Sequence, residues 1–256
     1  MKKTLIAMGV ATATIMSGGV MAATWTNGAV NGSAFEISGI LSPASVSTPW
    51  EVAIGDAKTD LDVTMSEGDT QGTVNVSSAI PVLGIRSVSG GFQGGQAGIV
   101  PNITYGTSGL TFGSGSVASL KLDVKDASSV KIGTLSASLQ GVAIASNGDV
   151  AVSLNANTSS SAYYGGVPRG KANALQGAAA MSAIQALFPE ATQNWPTGVT
   201  VSENGGEWGF VDSTKTFNTA YASGIPANTS INITLDSALN SDTKWTAQLP
   251  VTVSFQ

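Results

Sequence analysis

Residues Trp245 to Gln256, WTAQLPVTVSFQ, carry the pattern that most restricts the fold. Leu249, Val251, Val253 and Phe255 fall at every second position, the period of a strand with one buried face. That face has to be covered, and no hairpin partner follows it in the sequence. The expectation is that it pairs with strands from earlier in the chain, or that another molecule completes its surroundings.

The first residues set the compartment. Met1-Lys2-Lys3 is basic, Thr4 to Met16 is apolar and uncharged, and Val20-Met21-Ala22 ends in small residues at the positions a signal peptidase reads. A signal peptide over 1–22, cleaved after Ala22, is expected. The apolar run is shorter than the ~20 residues a spanning helix needs, and Ser17-Gly18-Gly19 breaks it. Without 1–22, nine basic side chains face sixteen acidic ones, which argues against nucleic acid and anionic membranes as partners. The chain has no cysteine, and a domain of this length buries enough surface, roughly 70–75% of what its unfolded chain exposes, to fold without disulfides. It has no histidine either. Ser-His-Asp triads, Cys-His dyads and the usual zinc ligands are thereby removed, and no catalytic residue, metal or cofactor is expected.

Thirty-one glycines among many Ser, Thr, Val and Ala residues indicate an all-β chain, with Gly, Asn and Asp supplying turns and Val, Thr and Ile supplying strands. No Pro-rich or charged linker divides it, so one folded domain is expected. Phe35, Ile37, Gly39 and Leu41 alternate in a first run, and Trp50–Ile54 follows the turn between Pro43 and Pro49. Further strands are expected at Asp60–Met65, Thr73–Val76, Ile80–Ile85, Val117–Lys125, Val130–Leu139, Asp149–Leu154, Val199–Ser202, Glu207–Val211 and Ser230–Leu235, before the closing strand. The glycine-rich loop Ser89–Gly98 lacks the Gly-Lys-Ser/Thr ending of a phosphate cradle, and Gly113-Ser114-Gly115 is a weak echo of a dinucleotide fingerprint. Between Asn155 and Gly198 the pattern changes. One helix is expected there, capped by Asn173 with Gln176 three residues on, carrying Leu175, Met181, Ile184 and Leu187, and stopped by Pro189. Some twelve short strands and one crossover suit a Greek-key β-sandwich, and also a barrel.

Several stretches resemble the major subunits of the kappa class of chaperone-usher fimbriae, the K-eighty-eight type. They are Phe35-Glu36-Ile37, Trp50-Glu51, Ile80-Pro81-Val82-Leu83-Gly84, Lys131-Ile132-Gly133-Thr134-Leu135, Tyr164-Gly165-Gly166, Ala220-Tyr221-Ala222-Ser223-Gly224-Ile225 and Lys244-Trp245-Thr246-Ala247, with the aromatic-ending strand to Phe255. The resemblance implies an incomplete immunoglobulin-like β-sandwich completed by donor-strand exchange, with a small helical insertion near 155–198. It implies a donor extension over 23–41 and a pilin body over 42–256. The donor side chains would be Phe35, Ile37, Gly39 and Leu41; Val30 and Gly32 lie upstream on the opposite parity, which a bulge would accommodate. Leu249, Val251, Val253 and Phe255 would line the acceptor groove.

The partners implied are identical subunits in a head-to-tail fibre, a periplasmic chaperone, an outer-membrane usher and a host glycan or glycoprotein receptor. The implied location is a cell-surface fimbria reached through the periplasm. Tyr163, Tyr164, Arg169, Lys171 and Trp195 on the helical excursion would be the receptor candidates, against a reading in which the tyrosines pack and the basic pair is solvated. The alternatives are a minor or tip subunit, an outer-membrane β-barrel, and a glycan-processing enzyme built on acid pairs such as Asp60 with Asp62 or Glu203 with Glu207. Against the barrel, aromatic residues make up only 6% of the chain.

Overall fold

A sixteen-residue strand, Lys131–Ser146, runs through the middle of the described part of the chain, which is residues 48–256 of a computed structural model. In chain order the elements are β1 (Trp50–Ile54), β2 (Gln71–Val76), β3 (Ile80–Ser87), β4 (Phe92–Gln93), β5 (Pro101–Tyr105), β6 (Val117–Asp126), β7 (Lys131–Ser146), β8 (Ala151–Leu154), α1 (Gly177–Leu187), β9 (Gly205–Gly206), β10 (Thr216–Ile225), β11 (Thr229–Leu235), β12 (Trp245–Thr246) and β13 (Val251–Phe255). Its length lets β7 pair with β6 and then β8 along one edge, and with β11 and then β10 along the other. The main sheet runs β1-β3-β10-β7-β11-β2 and stays open, with β1 and β2 at its ends. An open sheet is a sandwich layer and not a barrel wall. A separate antiparallel pair, β13 with β5, lies across it. The architecture is an immunoglobulin-like all-β sandwich with one helical layer added.

Strand alternation sorts the side chains of β7 and β10 to two faces. Ala143, Ala145, Phe217 and Tyr221 join the core shared with β5 and β13. Val142, Ile144, Ala220 and Ala222 lie on the other face, under Ala180, Ile184, Leu187, Phe188 and Ala191 of the helical excursion. Small residues on the sheet permit the approach: a Cβ placed on Gly84 would stand 3.0 Å from the Phe188 ring. Polar staples finish the docking. Arg86 on β3 donates to the carbonyl of Glu190 and to Gln193 Oε1, each at 2.6 Å, and pairs with Glu51 on β1. A third cluster, around Val74, Val124, Leu135, Ile231 and Ile233, fills the other end of the sandwich.

Several sequence expectations are corrected. Residues 60–65 keep the inward alternation of a strand, with Leu61, Val63 and Met65 against the third cluster, but 56–65 make no backbone–backbone hydrogen bonds among the described residues. Neither Val199–Ser202 nor Glu207–Val211 is a strand; the short β9 between them pairs parallel to β8 instead. The ten-residue β10, at the centre of the main sheet, was not among the expected strands, nor were β4 and β5. Asn173 does not cap α1: it lies in the preceding 3-10 turn and donates to the Arg169 carbonyl. The helix starts at Gly177, whose φ of +52° suits glycine. A Cβ there would collide with the Glu203 carboxylate, so a distant acid supplies the negative charge that helix N-termini favour.

Candidate polymerisation groove and the surface of the excursion

The antiparallel ladder between β13 and β5 decides which backbone groups of β13 are free. Gln256 and Val100 exchange both hydrogen bonds at 3.0 Å, and Gly106 donates to the Pro250 carbonyl at 2.8 Å. The even-numbered residues of β13 therefore point their N–H and C=O groups at β5, and Val251, Val253 and Phe255 point theirs away from it. No described strand pairs that second edge. The side chains of the same three residues, with Leu249, are half-buried and pack on the main core. Pro250, which has no N–H to give, explains why the ladder begins at Val251 and not at Leu249.

The same reasoning applies to β1. Val88 donates to the Pro49 carbonyl and Gly55 to the Val82 carbonyl, each at 3.0 Å, so Trp50, Val52 and Ile54 direct their backbone groups away from β3. Trp50 is buried, but Val52 and Ile54 on the same face are 46% and 61% exposed. Trp50 stacks on Phe255, ring centroids 6.2 Å apart and planes 12° from parallel, which joins β1 to β13 at one end. At the other end Leu61, Val63 and Met65 share a core with Trp245 and Ala247. Two walls, residues 50–65 and 245–255, thus meet at both ends, and among the described residues the outward edges of β1 and β13 have no strand partner. Leu249, Val251, Val253 and Phe255 lie on one wall. The other wall, from Trp50 to Met65, was not expected to lie beside them, although its alternation was visible in WEVAI and DLDVTM. Phe35, Ile37, Gly39, Leu41 and Ala22 lie outside the described residues.

Buried hydroxyls hold β5, and through it β13, to the main sheet. Tyr105 bonds the hydroxyls of Tyr221 at 2.7 Å and Ser223 at 2.6 Å, and Tyr221 donates to the Gly166 carbonyl at 3.1 Å. Burial pushes both tyrosine hydroxyls well above their ordinary range, so they stay neutral and able to donate.

The five residues singled out on the excursion do not form one site. Tyr163 is fully buried, stacked on Tyr221 at 5.1 Å and bonded to Thr219 at 2.7 Å; a ring so enclosed is core and offers nothing to a receptor. Tyr164 is half-buried, and Arg169 covers it, Nη2 donating to the phenol oxygen at 2.9 Å and the guanidinium 5.5 Å from the ring centre. Lys171 is exposed nearby in sequence. Trp195 packs on the opposite face of the main sheet, in the helix layer, and donates to the Val199 carbonyl at 2.9 Å.

Two of the acids considered for catalysis, Asp60 and Glu207, have structural partners. Asp60 bonds Lys58, which holds its carboxyl below the ordinary value. Glu207 accepts from Ser161 and from the backbone and side-chain nitrogens of Asn157, and these bonds lower its pKa. A general acid needs the opposite shift. The sign of the Glu207 shift gives a testable pH effect. A depressed folded value contributes stability in full above the unfolded carboxyl's pKa, near 4.5, and that contribution disappears as pH falls through the folded value. Hydrogen-exchange protection factors in 157–161, corrected for the intrinsic pH dependence of exchange, should therefore fall on acidification, and Glu207→Gln should flatten that fall.

Two curated relatives from Escherichia coli, K88 fimbrial protein AC and K88 fimbrial protein AD, are each 28% identical to this chain, with both chains covered over their full length. The family model described as "Fimbrial, major and minor subunit" matches residues 1–256. The chain belongs to this family of K88-type fimbrial subunits.

Proposed function

We propose that the cleft between residues 50–65 and 245–255 is the acceptor groove of a fibre-forming subunit, filled by the extension 23–41 of another copy through Phe35, Ile37, Gly39 and Leu41. The single observation that carries this is the pairing of incompletely buried apolar side chains, half-buried on β13 and exposed at Val52 and Ile54 on β1, with strand edges that have no partner among the described residues, the arrangement β-augmentation completes. The role is structural and not catalytic, at the surface of a bacterium. A cleft walled by eleven residues runs about 36 Å at strand rise. The seven donor residues cover roughly 23 Å of it, leaving room for residues upstream of Phe35. Before assembly a periplasmic chaperone would occupy the same edges, and an outer-membrane usher would oversee the exchange. The body is 42–256, and 1–22 is the signal removed on export. Ile37→Asp is expected to yield folded subunit when chaperone is supplied but no fibres by electron microscopy. Normal fibres from this variant would overturn the donor assignment.

Attachment to host glycans is the second part of the proposal, with Tyr164, Arg169 and Lys171 as the surface that the fold leaves available. Tyr164→Ala and Trp195→Ala, tested separately, distinguish the two faces. Loss of cell or glycan binding of tenfold or more is expected from the first, with fibres intact. A loss confined to Trp195→Ala would move the receptor surface to the helix layer.

A further inference from the structure

We infer that the two ends of the body form a matched contact between consecutive copies of this chain, Val150 and Val211 of one copy meeting Val130 and Leu239 of the next. The inference rests on the fibre reading above and adds to it a contact outside the groove.

Six large apolar side chains among the described residues are substantially exposed, from 37% to 83%. Val52 and Ile54 belong to the groove wall. The other four all lie at the two ends of the sandwich. Val211 follows the buried Phe210, beside the loop after β4: Gly95 donates to the Phe210 carbonyl and Gly94 to the Lys215 carbonyl. Val150 is in the turn from β7 to β8, which Asp149 ties to Lys215. That turn borders an open cleft of about 360 Å³ with Val199, Thr200 and Ser202 on its other side. At the opposite end, Val130 is in the turn from β6 to β7 and Leu239 in the connection from β11 to β12. These two connections meet where Asp236 donates to the Ile132 carbonyl and Trp245 pairs with Asp126.

The broad outer face of β2, β11 and β7 contrasts with both ends. Its outward residues Gln71, Thr73, Asn75, Ser230, Asn232, Thr234, Thr134 and Ser136 are polar, and the apolar residue of the same parity, Ile132, lies half-buried at the Val130 end. A body that leaves this broad face hydrophilic and its ends apolar is suited to contacts along one axis.

The chain enters β1 at the Val150 and Val211 end, where Trp50 packs on Phe92 and Phe210. If 23–41 occupies a neighbour's groove, residues 42–49 connect the two bodies. Eight residues span at most about 29 Å fully extended. This tether holds one body's first end near the neighbour, and four apolar side chains that would never support a free dimer then face an effective concentration in the millimolar range.

The absence of cysteine permits a clean test. Fibres are assembled from two double variants, Val211→Cys with Leu239→Cys and Val211→Cys with Val130→Cys, and treated with a short bis-maleimide. A ladder of covalent multimers is expected from at least one, at tenfold or more over a Val211→Cys with Thr73→Cys control, with no ladder from unassembled subunit. Intact fibres that give no ladder above control would overturn the end contact. Dimers from Val211→Cys alone would overturn its head-to-tail sense. Wild-type subunits that never form fibres would instead overturn the donor-strand reading beneath it.

Discussion

Replacing Val253 by Asp should remove the subunit from fibres, whereas Thr252→Asp, one residue away, should not. Val253 turns its side chain to the core and its backbone groups to the free edge of β13, while Thr252 does the reverse and is exposed. A carboxylate on the groove wall must either stay hydrated, holding water where a donor side chain has to sit, or be buried without a partner. Either costs more than the roughly 1.5–3 kcal/mol that one seated apolar side chain contributes. Donor capture is expected to fall at least a hundredfold for Val253→Asp, measured with a synthetic peptide of residues 31–42. Because Val253 also packs on the body, thermal unfolding of the unliganded variant is measured alongside. Equal capture by the two variants would remove β13 from the groove.

Ile184→Ala should destabilise the body strongly and leave assembly intact. Ile184 is fully buried between α1 and the Val142, Ile144, Ala220 and Ala222 face of the sheet. Truncating such a side chain costs about 2–5 kcal/mol, a fall in Tm of roughly 4–20 °C for a domain of this size. The proposed groove residues of β13 pack on the other core, so fibres should still form below the new Tm. A variant that unfolds normally would show the helix layer to be loosely held. A variant that is stable but fails to polymerise would couple the helix to the groove.

The strands with a clean period of two and a short turn were legible from sequence: Asp126 and Asn147 close their turns with side-chain bonds to nearby backbone N–H groups, and β6 and the first part of β7 follow, while Gln140–Ser146, largely buried on both faces, extends β7 beyond the expected Val130–Leu139. Strand β10 was not expected because both its faces are buried, one under aromatics and one under the helix layer. TFNTAYASGI therefore shows no alternation. The helix start was misread because its negative charge comes from Glu203, a residue 26 positions beyond Gly177. Tyr163 and Tyr164, adjacent and alike in sequence, part company because Tyr163 turns into the core beside Tyr221.

The sequence by itself determined the class of fold, the absence of histidine and cysteine chemistry, and the alternating face from Leu249 to Phe255. These depend on residue type and spacing along one segment. Only the tertiary structure decided that this face meets residues 50–65 at both ends, that among the described residues β1 and β13 each keep one edge without a strand partner, and that the excursion's aromatic residues are divided between two faces of the sheet. Such facts depend on which distant segments meet and in which register, and a one-residue shift in register reverses every side chain and every free N–H.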